Sequence, residues 1–343
     1  MHFGEFELFS LSDGFFGLDG GAMFGVVPKP LWERTNPPDE RNRIRLALRP
    51  LLVVAGTESP KSDIEPQRSQ RVEEYGAESR PSPDSVPSVV GPISVPGERV
   101  LIDTGIGDKW DAKSTDIYRI EHTDTIESSL ARAGFKPEDI TKVVLTHLHF
   151  DHAGAATKLD STGKPVPRFP NARYYVQRKE WDLALNPNRR SRAAYLPENF
   201  LPLHEAGQLE LIDGDFQPVL GLELVLTGGH TPGHQIVLLR SGGRTAVYWG
   251  DLIPTRSHIA TPYIMGYDLL PLETMEQKEK LVQQSIAGKW LSFLEHDPDF
   301  ACGVIEEENG KPFLARSRKS TDYADYAEGP EPGPRDVSSR AAG

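Results

Sequence analysis

The chain has 343 residues, 38% of them hydrophobic, and a formal charge of −12 at neutral pH. That balance suits a globular protein with a sizeable core and argues against a nucleic-acid groove, which needs clustered Lys and Arg. The single cysteine, Cys302, excludes an internal disulfide and a thiolate-rich metal site, and no run of about 18 apolar residues is present to span a membrane.

In chain order, the N-terminus "MHFGEFELFSLSDGFFGLDGG" is acidic and broken by glycines, so it does not read as a signal peptide and a cytoplasmic location is expected. "GGAMFGVVP" (20–28) is short and apolar; its Met23 and Phe24 either wall a pocket or join the core. "RPLLVVAG" (49–56) and "RVLIDTG" (99–105) make a natural strand pair, interrupted by residues 57–97, rich in Pro, Ser and Glu. That stretch has little to bury and reads as a long surface insertion. Residues 124–133 read as a helix opened by Asp124 and Glu127 in capping-box spacing and ending before Gly134. Then come a strand at 142–147, another at 172–176 and a short helix at 178–185. "NPNRRSR" (186–192) is the only basic cluster and reads as a solvated loop. Further strands are expected at 222–228, 234–241, 245–251 and 291–296, with a long amphipathic helix at about 272–289. "RSGGRT" is a hairpin turn, since glycine accepts the positive φ of a tight reversal. Hairpins mixed with helical crossovers imply an α/β fold of mixed sheets covered by helices. The tail, 317–343, has the composition of a disordered segment.

"THLHFDHAG" (146–154) places three of the ten histidines and an aspartate within six positions, directly after an apolar run. On an extended segment His147, His149 and Asp151 share one face, and His152 joins them through a turn. Imidazole with carboxylate suits Zn²⁺ and its neighbours Mn²⁺, Fe²⁺ and Co²⁺. Each later apolar run also ends in a ligand-type residue: His230, Asp251 and His296. A lone strand-end histidine is ordinarily a hydrogen-bonded structural residue, but strand carboxyl ends gather at one edge of an α/β sheet. Seven groups meeting there fit two metal ions sharing one carboxylate.

"HLHFDH", "GGHTPGH", "YWGD" and "FLEHD", in that order, resemble the metallo-β-lactamase superfamily. "LDGGAMFGVVPKPLW" and "IATPYIMGYDLLPLE" look like its quorum-quenching lactonase branch, within the wider group of N-acyl-homoserine lactonases and methyl parathion hydrolase. The resemblance implies an αββα sandwich, with residues 1–316 as the hydrolase domain. It also implies two Zn²⁺, one held by His147, His149 and His230, the other by Asp151, His152 and His296, with Asp251 bridging. Asp103 would orient a ligating imidazole, which usually gives its other N–H to a carboxylate. In the best-known homoserine lactonases a tyrosine three positions after the bridging aspartate polarises the lactone. Here that position is Pro254, and His258, Tyr263 or Tyr267 are candidates to replace it. Phe150, inside the metal motif, faces either pocket or sheet.

The expected activity is hydrolysis of a small-molecule lactone or related ester by a metal-bridging hydroxide, with Asp151 and Asp251 as the catalytic carboxylates. The principal alternative is a phosphotriesterase using the same hydroxide. A thioester hydrolase fits less well, because no basic cluster follows Asp251. Diiron oxidoreductases place a glutamate where His149 stands, nucleases of this fold bring basic surfaces, and Cys302 lies outside the matched motifs. A metal-binding scaffold is the non-enzyme alternative, and the resemblance permits a homodimer.

Overall fold

The computed structural model describes residues 1–56 and 97–315. The expected insertion falls, but for Gly97, outside these residues, as does the tail. Two seven-stranded mixed sheets face each other. The first runs, in spatial order, through His2–Phe3, Phe6–Ser10, Leu51–Ala55, Arg99–Ile102, Lys142–Val144, Arg173–Gln177 and Leu209–Ile212. Its first four strands pair antiparallel, and the last three continue parallel from Arg99–Ile102. The second contains Phe216–Val219, Leu222–Leu226, Gln235–Ser241, Arg244–Tyr248, Leu291–Phe293, Cys302–Glu308 and Lys311–Ala315. It is antiparallel except where Arg244–Tyr248 lies parallel to Leu291–Phe293, a pairing that needs the crossover helix Pro271–Gly288.

Strand periodicity explains the layering. Leu52, Leu101, Val143, Tyr174 and Val176 face one way, onto Ile126 and Leu130 of helix Ile126–Arg132 and Trp181 of helix Arg178–Leu185. Their neighbours Leu51, Val53, Val100, Ile102, Val144 and Tyr175 face Leu224, Val237, Leu239, Ala246 and Phe293 of the second sheet. Beyond that sheet, Ile236, Leu238 and Val247 pack on Leu281 and Val282 of Pro271–Gly288. The result is an αββα sandwich, and central strands buried on both faces read as continuous apolar runs such as "LLVVA".

The structure departs from the sequence reading at element ends. Helix Ile126–Arg132 is capped by Thr125 and Ser128, which bond reciprocally. Thr125 is the extended residue (φ −132°, ψ 155°), so its side chain reaches the N3 amide, while Asp124 accepts from the Ser128 hydroxyl and the Arg132 guanidinium. The strands expected at 142–147, 222–228, 245–251 and 291–296 stop at Val144, Leu226, Tyr248 and Phe293. In each case the ladder ends before the ligand-type residue, so that the side chain can turn toward the site. Gly228, Gly229 and Gly250 make two of these exits at positive φ. Asp151 likewise leaves the extended face expected for it, because Phe150–Ala153 is a helical turn that begins after His149. The hairpin of Phe15–Asp19 with Arg43–Ala47 was not anticipated.

Candidate metal centre and pocket

His147 and His149 follow the Lys142–Val144 strand, and Asp151 and His152 lie on the helical turn after them. His230 follows Leu222–Leu226, Asp251 follows Arg244–Tyr248 and His296 follows Leu291–Phe293. All seven are buried. Donor atoms of His147, His149, His230 and Asp251 lie within 4.8 Å of one another, and so do those of Asp151, His152 and His296.

Asp251 joins the two groups. Its Oδ2 is 3.2 Å from His230 Nε2 and 3.9 Å from His147 Nε2. Its Oδ1 is 3.2 Å from His296 Nε2 and 3.4 Å from His152 Nε2. Asp151 Oδ2 stands on the second side, 3.6 Å from His296 Nε2 and 3.9 Å from His152 Nε2.

Several polar atoms here lack a protein partner. Buried His147 Nε2, His149 Nε2 and Asp251 Oδ1 make no hydrogen bond. His152 Nε2 and His296 Nε2 face each other at 3.1 Å, as do His230 Nε2 and His149 Nδ1. Ring nitrogens meeting at that distance require either a shared proton or a cation. A donor set of imidazole nitrogens and carboxylate oxygens, converging and unpaired, fits metal ions of the zinc class.

Protonation of the ion-free site reflects the same crowding. Burial, then the neighbouring imidazoles, hold His147 and His149 well below the usual histidine range. Burial opposes charge on His296 too, but Asp251 outweighs it and raises this imidazole to about 9. Burial likewise works against ionised Asp251, yet His152 and His230 keep its carboxyl well below the usual range.

The outward-facing ring nitrogens are fixed by acceptors. His152 Nδ1 is 3.0 Å from Asp103 Oδ2, and Asp103 also accepts from the Thr146 amide at 2.7 Å and the Thr146 hydroxyl at 2.8 Å. His230 Nδ1 meets Asp268 Oδ1 at 2.7 Å, and His296 Nδ1 meets the Ala47 carbonyl at 2.8 Å. His234 Nε2 accepts the Asp251 amide at 3.0 Å, aided by burial, which lowers this imidazole to about 3 and keeps it neutral. Glu295 Oε2 lies 2.8 Å from His152 Nδ1; burial pushes its carboxyl up to about 7.

Sequence reading did not find Asp268, Glu295 or His234 as site residues. Each lies within one of the motif stretches: Asp268 in "IATPYIMGYDLLPLE", Glu295 in "FLEHD" and His234 in "GGHTPGH". A carboxylate adjoining a ligand-type histidine was the available signal for Glu295.

A pocket of about 190 Å³ opens on the centre. His149, Asp151, His230, Asp251 and His296 form its floor, with Met23, Phe150, Tyr118 and Tyr267 among the walls. Met23, Phe150 and Tyr267 therefore line the pocket. Phe24 and His258 do not line the pocket. Phe24 is sandwiched between Trp32, at 5.2 Å, and His258, at 4.7 Å. The His258 ring is tied by Nε2 to the Met23 carbonyl and by Nδ1 to Thr255 Oγ1. His258 thus props the end of the Gly20–Phe24 helix from behind. Tyr263 packs edge-on against Phe24. Pro254 accepts the His296 amide through its carbonyl at 3.0 Å, which helps set the direction of that ligand-type side chain.

Two sheets sandwiched between helices, with a histidine–aspartate cage at their loop ends, define the class. Residues 86–287 match the metallo-beta-lactamase superfamily, and the chain belongs to that family. It is 32% identical over 152 residues to an N-acyl homoserine lactonase of Bacillus cereus, an alignment covering 41% of this chain and 54% of the relative. The chain thus spans about half the length of the curated relatives it matches. A structure from Staphylococcus aureus described as a "probable metal-dependent hydrolase" superposes with a TM-score of 0.72 at 28% identity, covering 92% of this chain and 99% of that one. AidC, a dizinc quorum-quenching lactonase in complex with the product N-hexnoyl-L-homoserine, shares the fold with a TM-score of 0.67 at 20% identity, covering 93% and 97%.

Proposed function

We propose that this chain is a dinuclear metal hydrolase that opens an N-acyl homoserine lactone or a related ester. The observation that carries the reading is the division of the Asp251 carboxylate, one oxygen toward His147 and His230, the other toward His152 and His296. His147, His149 and His230 would hold one ion, Asp151, His152 and His296 the other, and Asp251 would touch both. We assign zinc on the nitrogen-rich donor set; Mn²⁺, Fe²⁺ and Co²⁺ share that ligand chemistry. Bound zinc supplies Lewis acidity and brings the pKa of water to about 7.

The protein's own groups do the rest. Asp151 lines the pocket and is placed to carry a proton from the attacking water to the departing alkoxide oxygen. Tyr267 lines the pocket, and its phenol is a hydrogen-bond donor at neutral pH. It takes the carbonyl-polarising part for which Pro254 has no donor. Apolar Leu18, Met23, Leu46, Met265 and Leu269 receive an acyl chain. Among the described residues no helix is long and apolar enough to cross a membrane. A lone cysteine agrees with the reducing cytoplasm.

The test is to strip the protein with a chelator, reload it with measured equivalents of Zn²⁺, and assay N-hexanoyl homoserine lactone beside an aryl phosphotriester. Lactone turnover should return as the second equivalent is added. Turnover of the phosphotriester alone, or of neither substrate, overturns the reading.

A further inference from the structure

The one basic cluster in the sequence, 186–192, does not simply dissolve into solvent. Arg190 and Ser191 both line the pocket, on a wall otherwise completed by Ala193 and Ala194. This wall is held at both ends. Asn188 Oδ1 accepts the amides of Arg190 and Ser191 at 2.9 and 3.0 Å. Downstream, the Tyr195 hydroxyl donates to buried Glu180 at 2.9 Å.

The two polar side chains of this wall differ in access. The Arg190 guanidinium bonds the Gly266 carbonyl across the mouth and has no carboxylate partner among the described residues. Gly266 is itself fixed, its amide donating to the Ala22 carbonyl at 2.7 Å. Arg190 is exposed, and a guanidinium carries five N–H donors, so those not on Gly266 can pass from water to a substrate. The Ser191 side chain is more than nine-tenths buried, and its hydroxyl has no hydrogen-bond partner. A buried hydroxyl left in that state costs stability. The Ser191 hydroxyl has almost no accessible surface and lies behind the wall, whereas the exposed Arg190 guanidinium lines the pocket and suits an acceptor oxygen carried by the substrate beyond its scissile bond.

We propose that Arg190 recognises the amide carbonyl of an N-acyl substituent, making this wall the element that distinguishes amide-bearing lactones from plain alkyl lactones. The inference rests on the lactonase reading of the pocket. Arg190→Met and Ser191→Ala, each checked for an unchanged melting profile, are compared with wild type on N-hexanoyl homoserine lactone and on an amide-free γ-alkyl lactone of similar length.

The ratio of kcat/KM for the two substrates should fall about tenfold in Arg190→Met, the scale of one charge-assisted hydrogen bond. In Ser191→Ala, whose hydroxyl lies out of a substrate's reach, the ratio should hold, and KM should carry the change in Arg190→Met. An equal loss on both lactones, or no loss, in Arg190→Met overturns the proposal and leaves the lactonase reading standing. If wild type turns over neither lactone, that reading fails, and calorimetric binding of the same pair decides this one. An amide preference erased by Arg190→Met then sustains the proposal, and no preference refutes it.

Discussion

Asp103→Asn isolates the link between a buried carboxylate and the cage. Asp103 has φ +54°, a left-handed conformation that asparagine also accepts, so the backbone need not move. Its carboxylate takes three hydrogen bonds, from the Thr146 amide and hydroxyl and from His152 Nδ1. By holding the proton on Nδ1, it leaves the lone pair on Nε2, which faces Asp251 at 3.4 Å and His296 at 3.1 Å. The amide keeps one oxygen for the Thr146 amide, but its NH₂ now points at Nδ1 and drives the ring proton to Nε2. Loss of a charged acceptor from this buried network should cost about 3 kcal/mol of unfolding free energy. Affinity for the ion on the His152 side should weaken about 10–100-fold, or roughly 1.4–2.7 kcal/mol. Urea unfolding of the metal-free protein reads the first quantity, and competition with a chromophoric zinc chelator reads the second. Glu295 is close enough to take over the Nδ1 proton, so Asp103→Asn combined with Glu295→Gln is measured alongside. Unchanged affinity for both equivalents in the single and double variants would refute the tautomer argument.

Asp268→Asn removes the carboxylate behind His230 and should weaken the ion on that side about 10–100-fold, read by the same competition assay. Lys278 gives a pH signature. Burial lowers its ammonium to about 7, with Asp268 opposing only in part, and it donates to the His258 and Tyr263 carbonyls. The unfolded chain binds the extra proton between that value and about 10.4, so stability rises with pH across this window and is flat below it. Between pH 7 and 9.5 wild type should therefore gain about 3 kcal/mol relative to Lys278→Met in urea titrations. Lys109, also lowered by burial, is present in both proteins and cancels. Gly154→Ala should lower stability by about 3 kcal/mol and impair ion binding, because its Cβ would meet the Ile106 carbonyl oxygen at 2.1 Å, backbone against backbone, beside the turn bearing Asp151 and His152. Thermal unfolding with and without Zn²⁺ checks both effects.

The layers of the fold were legible because "LLVVA", "VV" (143–144) and "IVLL" (236–239) are buried on both faces and leave no polar interruption. The seven residues of the cage were legible because histidine is scarce here and each apolar run ends near one ligand-type residue. The strand ends were not, since Leu145 and Trp249, next after Val144 and Tyr248, still pack in the apolar layers although the strands have ended. Through-space partners were also hidden. Nothing local joins Asp268 to His230, 38 positions away, or Arg190 to Gly266, 76 away. His258 looked like a pocket residue from its place after Asp251, but the Phe24 ring and the Met23 carbonyl draw it behind the wall.

The cage takes His147, His149, Asp151 and His152 from the loops of one sheet and His230, Asp251 and His296 from the loops of the other. Ions seated there would rivet the two halves of the sandwich at the end where their interior is most polar. Metal starvation would then do more than remove the proposed activity: the rim would loosen, and a protease would find backbone there that the loaded protein withholds.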